Sequence, residues 1–224
     1  MLSKLASLFI TFMCSIGMYS PEATKRNVMH WKEHLDRLEQ EKQWDEAIAF
    51  MQQFIQENPN NMDAYMFMNY LIMNFIVEED CDWNDQPTVK RYATLAKWYF
   101  DESYAKFSNN AEYLYITAKT AVMSEWFFGI DVTDYYRMFA KAHELEPDNI
   151  MYQEQYWYNV SDKNPADKAL IAHAKLVLSD NSPIKIQLKD KGAVGRYILM
   201  LRRGWAEDVL SNAKRAKIEK STHS

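Results

Sequence analysis

The sequence predicts an all-α protein, a single domain built from antiparallel helix pairs stacked into an array, and three observations carry that expectation. Only 5 Gly and 6 Pro occur in 224 residues, well below the usage of about 7% and 5% typical of soluble proteins, and all-β or Gly-rich nucleotide-binding folds need such turn residues in quantity. Apolar residues recur at three- and four-residue spacing along most of the chain, as in Trp31, Leu35 and Leu38, which is the period of a helix with one buried face. A helical segment closed by Pro59-Asn60-Asn61 is echoed by one closed by Pro147-Asp148-Asn149, so the pattern repeats. With 48% hydrophobic residues, 7 Trp, 14 Tyr and 11 Phe, the composition excludes intrinsic disorder. Two cysteines, Cys14 and Cys81, are too few for a disulfide framework or a four-ligand zinc site.

The elements follow in order. Ser20-Pro21-Glu22 has the form of a helix start, with a hydroxyl cap, a proline whose missing N–H is harmless at the first position, and an acid in the first turn. A helix is expected from there to about Glu41, with Val28, Trp31, Leu35 and Leu38 on its apolar face. A second runs from Trp44 to Asn61. Met62 opens a third, with Tyr65, Met68 and Ile72 in register, and its partner, Tyr92 to Phe107, is delayed by the acidic loop Glu78 to Pro87. Ala111 begins a long helix broken at Gly129, followed by a helix ending at Pro147. A fourth pair starts at Ile150, restarts with Asn164 as cap and Pro165 in the first turn, and ends near Ser182. Gly204-Trp205 marks the break of a divergent terminal hairpin.

This pattern resembles the tetratricopeptide repeat, a helix pair of about 34 residues. Trp31 and Tyr65 fall at its aromatic position, Ala47 and Ala96 at its small position, Ala118 at the tight crossing, and Pro59 closes the first unit. The resemblance covers residues 28–182 and implies a right-handed superhelical α-solenoid. The chain then divides into an apolar N-terminal segment, residues 1–19, helical repeats over 20–182, and a terminal hairpin with a basic tail over 183–224. Trp31, Ala47, Ala96, Ala118 and Ala142 are expected to be buried.

Residues 5–19 carry no charge and follow Lys4, an outline that fits a secretory signal. Leu2, Leu5, Phe9, Phe12 and Ile16 also share one stripe, as in a packed terminal helix. The first reading implies export and the second a cytoplasmic protein. No later stretch reaches the roughly 18 uninterrupted apolar residues of a membrane span.

Chemistry-bearing motifs are few. His30-Trp31-Lys32-Glu33-His34 satisfies the H-x-x-E-H pattern of inverted zinc peptidases, with Glu112 available as a third ligand. The helical register leaves no room for the sheet of those enzymes, and the plainer reading places both histidines beside a core stripe. Asp80, Asp82 and Asn84 imitate a calcium loop, but its sixth position is Asp85 rather than Gly and its twelfth is Arg91 rather than Glu, so no tight turn and no bidentate ligand are available. No metal, no cofactor and no enzymatic activity are expected.

Charge points to a partner instead. Residues 1–160 carry 24 acidic and 13 basic side chains, a net of −11, while residues 161–224 carry 7 and 13, a net of +6. An acidic body is a poor nucleic-acid binder, because affinity for phosphate comes from Lys and Arg. It suits a basic protein. Two surfaces are candidates. The loop groups Glu78, Glu79, Asp80, Asp82 and Asp85 around Trp83, and tryptophan is enriched at interface hot spots. The tetratricopeptide likeness implies a groove lined by the first helix of each pair, carrying Asp36, Glu39, Asp63, Tyr70, Glu112, Tyr115, Glu154 and Tyr158. The likeness to small acidic bacterial immunity proteins implies a nuclease-type toxin domain as the partner, with a general adaptor for peptides or subunits as the alternative.

Overall fold

The computed structural model describes residues 21–78, 81–122 and 124–222, with side chains over 31–77, 81–122 and 124–218. The apolar segment 1–19, its signal or helix readings, and the cap Ser20 lie outside the described residues. All regular structure among the described residues is helical. The chain divides into two compact units, residues 1–47 and 48–224.

In the first unit, helix α1 spans Pro21–Gln40 and buries Trp31, Leu35 and Leu38, three of the four residues of the expected stripe; the side chain of the fourth, Val28, lies outside those described. The turn at Lys42 takes a left-handed backbone, φ 56°, and leads into α2, Trp44–Glu57, whose first turn carries Asp45 and Glu46, favourable at the positive end of the helix dipole.

The second unit is organised around two helices buried on nearly every side. Helix α3, Met62–Met73, is capped by the Asn61 side chain and buries every residue from Ala64 to Met73. It continues as a π-helical turn, Asn74–Glu78. Helix α5, Ala111–Ala121, is capped by Asn110 and buried from Tyr113 to its end. Each is enclosed by its neighbours, and α5 carries the polar Thr117, Lys119 and Thr120 into the interior. Helix α4, Gln86–Phe107, covers α3. Tyr65 meets Glu102 and Phe75 meets Tyr92, so the two run antiparallel. After the short α6, Glu125–Phe128, helix α7, Val132–Leu145, starts at an Asp131–Asp134 capping box. It covers α5, also antiparallel, since Asn109 meets Lys141 and Tyr115 meets Phe139.

The last third departs from the expected boundaries. Helix α8, Glu154–Lys163, begins four residues after Ile150, and Asn164 is its C-cap. The cap of α9, Lys168–Leu178, is Asp167, which accepts from both Ala169 and Leu170; a carboxylate serving two amide donors displaces the expected start at Asn164. After α10, Pro183–Leu188, helix α11 runs unbroken from Gly192 to Thr222. Gly204-Trp205 does not interrupt it, because packing on α3, α5, α9 and α10 outweighs the weak helix preference of glycine.

Two glycines in α11 separate space from conformation. A Cβ on Gly195 would stand 2.3 Å from the Leu188 carbonyl oxygen, whereas one on Gly204 would meet nothing. Gly195→Ala is therefore expected to destabilise by about 1–3 kcal/mol through overpacking, and Gly204→Ala to stabilise by about 0.5–1 kcal/mol through lost chain entropy. Urea midpoints of the two variants check both signs.

Ala47, Ala96, Ala118 and Ala142 are all buried, as is Trp31. No helix among the described residues is long and apolar enough to cross a membrane.

Candidate functional site

The acidic face expected to receive a partner is met by the C-terminal segment of the same chain. The Lys191 ammonium, in the turn before α11, lies 2.8 Å from the Asp63 carboxylate and 2.8 Å from that of Glu112. Burial alone pushes the Lys191 pKa down, but the two carboxylates outweigh it and raise it. Tyr70 packs against Tyr197 at 5.5 Å, and Tyr158 stands edge-on to Trp205 at 5.6 Å. Lys191 and α11 thus take the places at Asp63, Tyr70, Glu112 and Tyr158 that the sequence reading gave to a basic partner.

The same holds most strongly at Glu154. Its carboxylate accepts from Lys119 Nζ at 2.8 Å and from the Tyr115 hydroxyl, and lies 3.4 Å from the Arg202 guanidinium. All four side chains are buried, Arg202 completely. Burial pushes the Glu154 carboxyl up, yet the charges of Lys119 and Arg202 and the bonds from Lys119 and Tyr115 bring it down to about 2. Burial raises the Tyr115 and Tyr158 phenols, as does the Glu154 charge beside them. His173 completes the centre. Its Nε2 is 3.2 Å from Arg202 Nη2, and its ring stacks on Trp157 at 4.6 Å and meets Trp205 edge-on. A guanidinium only donates, so His173 Nε2 accepts and the imidazole is neutral. Burial and the Arg202 charge hold its pKa at about 4, against a smaller opposing pull from Glu154. One anion and two cations share this buried site, an arrangement that holds charge in place and joins α5, α8, α9 and α11.

The other groove positions, Asp36 and Glu39, are half-buried on α1 in the first unit. Glu79 and Asp80 lie outside the described residues, and Glu78 ends the π-helical turn. Asp82 and Asp85 are exposed and hold the loop together: Asp82 accepts from the Asn84 backbone and side chain, and Asp85 caps α4 through Thr88. In the zinc-like motif, the side chain of His30 is outside the described residues, His34 Nδ1 is 2.7 Å from Arg37, and Glu112 is paired with Lys191. Among the described residues no three His, Cys, Asp or Glu cluster as a metal site would require.

What remains open is aromatic. Trp83 is 47% exposed, Trp98 54% and Trp126 59%, and they are neighbours. Trp83 and Trp126 both pack on Phe127, at 5.7 and 5.5 Å, while Trp98, Trp126 and Phe127 line one shallow groove of about 470 Å³. Its floor is α4. Lys97 crosses it, bonded to Asp101 at 2.8 Å, with its stem against Gly129, whose left-handed backbone, φ 69°, ends α6. Trp98 and Trp126 were missed by the sequence reading, although Trp98 carried a signal. The buried stripe of α4 is Tyr92, Ala96, Tyr99, Phe100 and Ser103, and two residues past Ala96 is the opposite side of a helix. An exposed patch of large aromatics marks an interaction surface more often than a chance of packing.

Comparison with known protein families, curated proteins and solved structures gives no match to this chain.

Proposed function

We propose that this chain is a non-catalytic binding module that holds a basic protein partner through the Trp83–Phe127–Trp126–Trp98 surface and the acidic loop beside it. The observation that carries the reading is the continuity of three half-exposed tryptophans with that loop. Tryptophan supplies contact area at low entropic cost, and the neighbouring carboxylates steer a cationic partner and raise its on-rate. The partner we propose is a nuclease-type toxin domain, by likeness to the small acidic immunity proteins. The antiparallel helix pairs α3–α4 and α5–α7, with Ala96, Ala118 and Ala142 buried on them, support reading the scaffold as a right-handed tetratricopeptide-like array whose acidic face is occupied by α11.

The test is titration of the purified chain against the product of the adjacent reading frame at two salt concentrations. Charge steering weakens as the Debye length falls to about 10 Å at 0.1 M salt, so association is expected to slow with salt while dissociation changes little. Neutral amides at Asp82 and Asp85 are expected to reduce the on-rate. Trp83→Ala is expected to speed dissociation, at a cost of about 2 kcal/mol for a hot spot. Salt-independent association, with both variants binding unchanged, would place the interface elsewhere and favour a general adaptor.

A further inference from the structure

Trp98 borders a second depression, larger than the first. A trough of about 760 Å³ lies between α2, the start of α3 and α4, and its walls include Gln53, Gln56, Glu57, Trp98, Tyr99 and Glu102. Two carboxylates line it and no Lys, Arg or His does; Lys106, behind the wall, pairs with Glu102, so the charge left at the rim is that of Glu57 and the electrostatic preference is for a cation. The groove on the other side of Trp98 contains Lys90 and Lys97 and lacks that preference.

The walls are held in place. Tyr99 stands edge-on to Trp98 at 4.5 Å and 85°, leaving the indole more than half exposed. Gln53 donates to Glu57 at 2.8 Å, fixing one carboxylate at the rim. The other, Glu102, has its Oε1 filled by the Tyr65 hydroxyl at 2.7 Å and by Lys106 at 2.6 Å. Burial pushes the Glu102 pKa up, but the bonds from Lys106 and Tyr65 prevail and lower it, so the group is an anion fixed in the wall.

We infer that this trough is a cation subsite that takes an arginine side chain of the partner. A guanidinium is flat enough to stack on the Trp98 face, and it donates in a fork suited to carboxylates and glutamine amides. An ammonium offers the charge without the plane. The inference rests on the reading that the partner is basic, and names the group by which it is anchored beyond the Trp83 loop.

The experiment uses the full chain and two short capped peptides, acetyl-Gly-Arg-Gly-amide and its citrulline counterpart, which keeps the shape and loses the charge. Indole N–H resonances are followed by NMR, with the Trp98 signal assigned by its absence in Trp98→Leu. The arginine peptide is expected to shift that resonance, and the citrulline peptide to bind about tenfold more weakly, within the range of a partly desolvated cation–π contact. Trp98→Leu, with an unchanged circular dichroism spectrum, is expected to lose the affinity to a similar degree, and Glu57→Gln to lose part of it at low salt. Equal binding of the citrulline peptide, unchanged affinity in Trp98→Leu, or no shift up to about 10 mM peptide would overturn the inference. The two readings fail separately: a toxin domain still bound through Trp83 would survive the loss of the subsite, and an arginine peptide bound at Trp98 would survive the loss of the toxin.

Discussion

Glu154→Ala is expected to destabilise the 48–224 unit by about 3–5 kcal/mol, the cost of breaking a buried ion pair and leaving its other members without an anion. Lys119 and Arg202 are both almost wholly buried, and Glu154 is the carboxylate that each of them reaches. Arg202 is the more vulnerable. Its Nη1 lies 3.4 Å from Glu154 Oε2, and without that carboxylate its remaining partner is a neutral His173. Glu154→Gln keeps the shape and one acceptor but loses the charge, and is expected to cost nearly as much as the alanine variant. Urea unfolding of the two variants reads the difference. If Gln restored full stability, packing rather than charge would be what Glu154 contributes.

A control separates the strength of the pair from its role. Buried ion pairs replaced as a whole by apolar residues of similar volume are often neutral, or stabilising by about 1–4 kcal/mol. The triple variant Lys119→Met, Glu154→Leu, Arg202→Met is therefore expected to recover most of the stability that Glu154→Ala loses. The centre then acts chiefly to fix where α11 lies, since an arginine in an otherwise apolar stripe is satisfied at one register only.

That stripe shows how much could be read beforehand. Val194, Ile198, Arg202, Trp205 and Val209 are spaced as one helix face and all are buried, so Arg202 stands at a core position in the sequence itself. Read locally, Gly204 beside it marked a break, and the core register was lost with it. The alanines Ala47, Ala96, Ala118 and Ala142 were legible because a small residue at helical spacing reports close approach wherever the partner helix comes from. The helix starts at Met62 and Ala111 were legible, but the caps were not: Asn61, read as the close of the preceding helix, and Asn110 each bond within the first turn of the helix that follows. The acidic face was only half legible. Charge counts revealed a −11 segment and a +6 segment, but a sequence does not say whether an acid meets a cation from another molecule or from 128 positions along the same chain, as Asp63 meets Lys191. Loop acids such as Asp85 carry a similar ambiguity, because capping a helix and steering a partner call for the same side chain.

Mild acid is expected to weaken the unit through His173, in a pH range set by its own shift. The imidazole titrates at about 4 in the folded chain and at about 6.5 when unfolded. Between those values the unfolded chain binds a proton that the folded chain refuses, so stability falls as pH falls. The contribution is complete above about pH 6.5 and gone below about 4, and the separation corresponds to about 3 kcal/mol at 1.36 kcal/mol per unit. Glu154 acts in a lower window. Its pKa of about 2 means its share is present above the ordinary carboxylate range and is lost only as pH falls towards 2. The groups facing His173 explain the sign: Arg202 on α11 already points a cation at Nε2, Trp157 and Trp205 cover the ring, and the Glu154 carboxylate is shared with Lys119. A proton on His173 would add a third cation to a site with one anion and remove the acceptor for Arg202. His173→Gln keeps a neutral acceptor and cannot titrate. Urea midpoints measured from pH 7 to pH 4.5 are expected to fall steeply for the natural chain and much less for the glutamine variant, with amide exchange in α11 accelerating first. Parallel pH profiles for the two chains would show that the acid sensitivity belongs to other groups.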